Sequence, residues 1–195
     1  MAPVSPLDSK DPLVLDTHAV ARRPGTMVEV ERTIPAPAEL GLDVVSVPQD
    51  SPVELQLRLE SVVEGVLVSG VARAQASGEC VRCLDPIEIE LDLDVQELFA
   101  YPDAAAADAE EIAQVQDELV DFRPVLRDAV VLALPLQPVC RVDCLGLCAT
   151  CGARLNDDPK HHHDQVDPRW AALGSMSLPA DAPNDSDAPQ RASEN

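Results

Sequence analysis

Six cysteines and a run of three histidines are the residues of this chain whose types and spacing could do chemistry. Cys80-Val81-Arg82-Cys83 forms one group; Cys140, Cys144, Cys148 and Cys151 form a second, with His161, His162 and His163 a short distance beyond. Two residues between cysteines let both thiolates approach one ion from a tight turn, and tetrahedral zinc asks for four such ligands at about 2.3 Å. The cysteines and two of the histidines suffice for two closed Zn2+ sites. In the favoured partition Cys80, Cys83, Cys140 and Cys144 form a four-thiolate clasp, and Cys148, Cys151, His161 and His163 form a local knuckle. His162 points the other way if that stretch is extended. A rival partition gathers Cys140, Cys144, Cys148 and Cys151 around a single ion and leaves Cys80 and Cys83 as a free dithiol.

Other chemistries find less support. A thioredoxin-type pair needs its C-x2-C at a helix N-terminus within a βαβ unit, whereas the flanks of Cys80 and Cys83 alternate like strands. The sequence has no Gly-rich phosphate loop, no G-x-S-x-G and no H-E-x-x-H, and the remaining histidine, His18, lies far from the others. A knuckle whose ligands are all protein side chains is closed, while a zinc enzyme keeps an open position. The expectation is therefore a protein that is not an enzyme. A C-x2-C thiol oxidoreductase and a zinc-dependent regulatory binding module stand as alternatives.

The elements that must position these groups follow from periodicity. Val53, Leu55, Leu57 and Leu59 alternate with Glu54, Gln56, Arg58 and Glu60, and Ile87, Ile89, Leu91, Leu93 and Val95 alternate with Glu88, Glu90, Asp92, Asp94 and Gln96. Short connections favour antiparallel pairing, because a parallel return needs about a dozen residues or more. The spacing predicts an α+β fold: an antiparallel β-meander or small open barrel over 27–99, an acidic loop over 100–120, one packed helix over 121–134 and a zinc-knuckle segment over 140–163. In that helix Asp121 is the N-cap, Pro124 sits in the first turn, and Pro135 and Pro138 stop it. A short helix is expected over 167–173, where Asp167 caps and Pro168 leads, and a disordered acidic tail over 175–195. Residues 1–26 read as an irregular arm, within which Pro12–Asp16 is apolar enough to lie along the core.

Charge narrows the partners. With 195 residues, 35 acidic and 14 basic, the chain carries a formal net charge of −21. Phosphate neutralisation needs a Lys/Arg surface, and no basic run exceeds Arg22-Arg23. Aromatic residues are only 2% of the chain, which disfavours base-stacking platforms. The longest apolar stretch, Ala129–Leu136, is far below the roughly 20 residues that span a bilayer, and the N-terminus lacks a secretory pattern. These features point to a reducing cytoplasm with no membrane and no small-molecule substrate.

The phrases Cys80-Val81-Arg82-Cys83-Leu84, Leu132 to Cys140 and Cys144 to Asn156 together resemble the YceD family, the large ribosomal RNA subunit accumulation proteins, over about 27–174. The resemblance implies a cytoplasmic, non-enzymatic ribosome biogenesis factor needed for normal accumulation of large-subunit rRNA. Relatives of this kind are often encoded beside a small zinc-ribbon protein of the large ribosomal subunit. The family's first cysteine pair falls on Cys80 and Cys83, and its Gly-Leu-Cys-x-x-Cys-Gly falls on Gly146 to Gly152. Many relatives finish the ribbon with Cys-x-Cys; here His161 and His163 substitute imidazole for thiolate, which zinc accepts. Partners so implied are a ribosomal protein or a pre-large-subunit assembly intermediate. Asp92, Asp94, Glu97, Glu110 and Glu111 are the candidate contacts to a basic protein. Arg141, Arg154, Lys160 and Arg169 are the candidate contacts to rRNA.

Overall fold

The computed structural model describes residues 6–104, 113–163 and 169. Glu110, Glu111, residues 1–5 of the arm, most of the short helix expected over 167–173, and the tail 175–195 lie outside these residues. Two compact units divide the chain, Met1–Pro159 and Lys160–Asn195. The sheet and its helix belong to the first.

Strict alternation builds the sheet. In β5 (Pro52–Ser61) Val53, Leu55, Leu57 and Leu59 are buried while the residues between them face outward, as a half-buried pleated strand requires. It pairs antiparallel with β2 (Met27–Pro35) on one side and with β6 (Gly65–Glu79) on the other. The far side of β6 carries β7 (Pro86–Ala100) in unbroken antiparallel register from Gly65↔Ala100 to Glu79↔Pro86. Beyond the end of β5, a small hairpin of β3 (Gly41–Leu42) and β4 (Val45–Ser46) adds to β6 at Ser77 and Gly78. The main path is the expected meander, β2-β5-β6-β7. Its outer strands β2 and β7 do not pair, so the sheet is open and no barrel closes. Gly70 lets β6 pass close to β5: a Cβ there would lie 2.1 Å from the Gln56 carbonyl oxygen.

The helix α1 (Arg123–Ala133) buries Leu126 and Val130 against the inner face of the sheet, where Leu91, Leu93, Val95 and Phe99 also lie. Its N-cap is Phe122, not Asp121. Asp121 instead ends β8 (Leu119–Asp121), and its side chain still accepts the Arg123 N–H at 3.0 Å from outside the helix. Phe122 can occupy a position that favours small polar residues because burying its ring outweighs a cap bond of about 1 kcal/mol. The helix ends at Leu134, which is extended ahead of Pro135.

The arm is irregular only in part. β1 (Val14–Asp16) pairs antiparallel with β8, and Leu13, Val14, Leu15 and Val20 are buried. The apolar phrase Pro12–Asp16 thus joins the core as a short strand. The hydroxyl and N–H of Thr17 both donate to the Glu118 carbonyl, at 2.8 Å each. His18 Nδ1 lies 2.6 Å from Glu118 Oε2. The Glu118 hydrogen bond, then its charge, raises the His18 pKa above the ordinary value. A raised folded-state pKa means the contact stabilises below the unfolded pKa and fades as pH climbs through the folded one. Glu118→Gln is expected to bring the His18 midpoint back down, read by NMR titration of the imidazole.

Candidate metal centre

Cys80 and Cys83 sit in the connection from β6 to β7, so the longest hairpin of the sheet delivers them. Within it the Cys80 N–H donates to the Asp85 carbonyl at 2.8 Å and the Leu84 N–H returns to the Cys80 carbonyl at 2.9 Å. Cys140 and Cys144 arrive from the segment after α1, held there by the Val81 N–H on the Pro138 carbonyl at 2.9 Å and the Arg82 guanidinium on the Cys144 carbonyl at 2.9 Å. The four sulfurs come within 4.8 Å of one another. Cys83 and Cys140 Sγ are 3.6 Å apart and Cys80 and Cys144 Sγ 3.9 Å. Four thiolates around zinc at about 2.3 Å place their sulfurs about 3.8 Å apart. The donor set and its spacing therefore fit zinc, and with four protein sulfurs the tetrahedron is full.

Electrostatics favour the same cation. Burial pushes the Cys80 thiol up, but the N–H groups of Cys140, Cys83 and Arg82 donate to it and carry it down to about 6. The Asn156 amide, 3.3 Å from its sulfur, leads in lowering Cys144 against burial. Cys83 is raised, because burial and the crowded neighbouring thiols overcome the Asp85 N–H, and burial leads in raising Cys140. Four neighbouring sulfurs, those of Cys80, Cys83 and Cys144 buried and that of Cys140 exposed, compete to be anionic, a conflict that a dication relieves.

Cys148 and Cys151 occupy a second turn with the backbone of the first. The Gly152 N–H donates to the Cys148 carbonyl at 2.8 Å and the Cys148 N–H to the Ala153 carbonyl at 2.8 Å. The residue after the second cysteine has positive φ in both turns: Gly152 at 73° and Leu84 at 61°. Glycine suits that conformation, while a leucine is strained by roughly 1–2 kcal/mol. Leu84 is 58% exposed, so its side chain buries little in return. Leu84→Gly is expected to raise stability by about 1 kcal/mol in denaturant titrations, with metal content unchanged. In the second unit, His161 and His163 bring their Nε2 atoms to 2.9 Å, and His162 turns its Nδ1 to the Lys160 carbonyl.

The candidate partner residues separate. Asp92 and Asp94 stand on the exposed outer face of β7, opposite Arg73 and Val71. Glu97 does not join them: it shares the parity of Val95 and Phe99 and is half-buried on the inner side. Of the candidate rRNA contacts, Arg141 pairs with Asp143 at 3.5 Å and Arg154 with Asp85 at 2.5 Å, while Lys160 and Arg169 are exposed in the second unit. Sequence reasoning missed Asn156, Asp85 and Arg82, which orient the clasp without ligating. Asn156 closes the Cys144–Asn156 phrase that carried the resemblance, and its Oδ1 accepts the Leu145 N–H at 2.8 Å.

Comparison with known proteins agrees with these motifs. A protein of Mycobacterium tuberculosis is 45% identical over 171 residues, covering 86% of this chain and 83% of its own length. A Mycobacterium leprae protein is 40% identical over 179 residues, 90% of this chain and 82% of its own. A Zea mays protein named as chloroplastic homolog 1 of the large ribosomal RNA subunit accumulation protein YCED is 31% identical over 124 residues, 52% of this chain and 42% of its own length. No solved structure matches. The model of the family described as large ribosomal RNA subunit accumulation protein YceD matches residues 68–177, from β6 through the clasp and beyond it. With more than half of its length covered by that match, both C-x2-C turns included, the chain belongs to the YceD family.

Proposed function

We propose that the protein is a non-enzymatic, cytoplasmic ribosome biogenesis factor that supports the synthesis, processing or stability of large-subunit rRNA through contacts with a basic ribosomal protein or a pre-large-subunit intermediate. Membership of a family named for large-subunit rRNA accumulation carries the reading. The outer face of the sheet supports a protein partner. Glu29 and Glu31 of β2, Glu54 of β5, and Glu88, Glu90, Asp92 and Asp94 of β7 are exposed, and the guanidiniums there are engaged, Arg73 by Asp92 and Arg58 by Glu60. Such a face steers a basic surface and repels phosphate. Zinc in this reading is structural, held by Cys80, Cys83, Cys140 and Cys144, with Cys148, Cys151, His161 and His163 as a second set. A thiol oxidoreductase needs a reachable attacking thiol, and Cys80 is 0% exposed.

A strain lacking the protein should show a lowered ratio of large-subunit to small-subunit rRNA. Restoring Asp92→Asn/Asp94→Asn in place of the wild type should rescue only partly, with association to pre-large-subunit particles slowed and less salt-sensitive. An unchanged ratio in the deletion strain refutes the reading. If Arg141→Ala/Arg154→Ala abolishes association while the acidic variant behaves as wild type, direct rRNA contact replaces the protein partner.

A further inference from the structure

Among the described residues, the long hairpin of β6 and β7 has no partner strand along the outer backbone edge of β7. Ala100 shows which groups of β7 face that edge: its N–H donates to the Ala113 carbonyl and its carbonyl accepts the Val115 N–H, both away from β6. The register with β6 runs without a bulge. Antiparallel pairing alternates residues that exchange bonds with the neighbour and residues whose N–H and C=O point outward. The outward set is therefore Glu88, Glu90, Asp92, Asp94, Gln96 and Leu98. Among the described residues none of these backbone groups has a hydrogen-bond partner. The chain itself already uses the last position, where residues 113–115 bridge to Ala100 in parallel fashion.

An open groove of about 300 Å³ runs between this edge and the helix: Asp94 to Glu97 form one wall, and Val125, Asp128 and Ala129 of α1 line the other. Val125 and Ala129 are half-buried, one turn apart on the same helix face. An edge strand beside a helix, with unpaired amides and an apolar ridge, is the arrangement in which extended peptides add to a sheet. Like-charged carboxylates at every second position oppose addition of a second copy of the same edge.

We propose that the β7 edge captures an extended segment of a basic protein partner as an added strand, with Lys or Arg side chains over Glu88, Glu90, Asp92 and Asp94 and apolar side chains alternating toward Val125 and Ala129. The inference deepens the protein-partner reading above and rests on it. It assigns recognition to backbone hydrogen bonds, with charge selecting the composition of the incoming strand.

The test uses the full chain and a synthetic peptide of about eight residues, a usual strand length, alternating Lys and Val. Its counterpart is the same peptide methylated on alternate backbone nitrogens, which keeps charge and shape and removes the donors. Binding of the parent peptide should slow hydrogen exchange at the amides of Asp92, Asp94 and Gln96, and the methylated peptide should fail to bind. Gln96→Pro, which removes an outward N–H and leaves the bonds to β6, should weaken the parent peptide. Equal binding of both peptides, lost together in salt, overturns strand addition while leaving the acidic docking face standing. Binding of neither overturns both. Undiminished binding to Gln96→Pro with no protection at Asp92 or Asp94 also overturns the proposal.

Discussion

Cys144→Ser is expected to strip one zinc ion from the purified, reduced protein and to leave the other in place. Cys148→Ser should remove the other and spare the first. Zinc measured by native mass spectrometry reads both. The expectation follows from geometry: Cys144 Sγ lies 3.9 Å from Cys80 Sγ, within a group whose four sulfurs already have the spacing of a filled tetrahedron. Under the alternative in which Cys140, Cys144, Cys148 and Cys151 share one ion, both variants would lose the same ion and Cys80→Ser would lose none. The energetic effect is large, because structural zinc contributes about 10–16 kcal/mol in small isolated peptides. Here the paired strands β6 and β7 flank Cys80 and Cys83, so the loss should be felt from Val139 onward, seen as faster hydrogen exchange there while β5 and β6 stay protected. Affinity should fall as pH drops, since each thiolate must give up the metal to take a proton.

The second large effect is expected at Phe122. Its ring is 0% exposed at the point where β8 passes into α1, and its N–H donates to the Leu13 carbonyl at 2.9 Å. Phe122→Ala should lower stability by about 3–5 kcal/mol, the range for deleting a buried aromatic ring. That is a large part of a total of about 5–15 kcal/mol. Urea titration checks it, with Leu132→Ala as control. Leu132 lies on the same helix but is 86% exposed, so its loss should stay within about 0.5 kcal/mol.

Much of the sheet was legible because a period of two is written plainly in β5 and β7, where each buried aliphatic residue has a charged neighbour. The cysteine pairs were legible for a similar reason: C-x2-C is a local device, and its turn needs nothing from the rest of the chain. What sequence could not show depends on distant partners. β1 is three residues long, too short for any periodicity, and exists because β8 lies alongside it. Asp121 has the chemistry of a cap, yet the helix begins one residue later because Phe122 is drawn into the core. Glu97 was grouped with Asp92 and Asp94 by proximity along the chain, which ignores that an odd step on a strand changes faces. Asn156 acts on Cys144 across 12 residues, and only the folded loop brings its amide to the sulfur.

The distance along the chain between the two halves of the clasp sets an order of events during synthesis. Cys83 and Cys140 are 57 residues apart, and Cys80 and Cys144 are 64 apart. At about 5–20 residues per second, roughly 3–13 s pass between emergence of the first pair and the second. In that interval β6 and β7 can close as a hairpin, since both strands lie on either side of the first pair, but a tetrahedral site cannot yet be completed. Zinc capture by the proposed clasp would therefore follow closure of the β6–β7 hairpin. In a metal-poor cell, newly made protein should accumulate with its sheet formed and its C-terminal segment open to proteases, so that zinc supply would govern how long each copy survives.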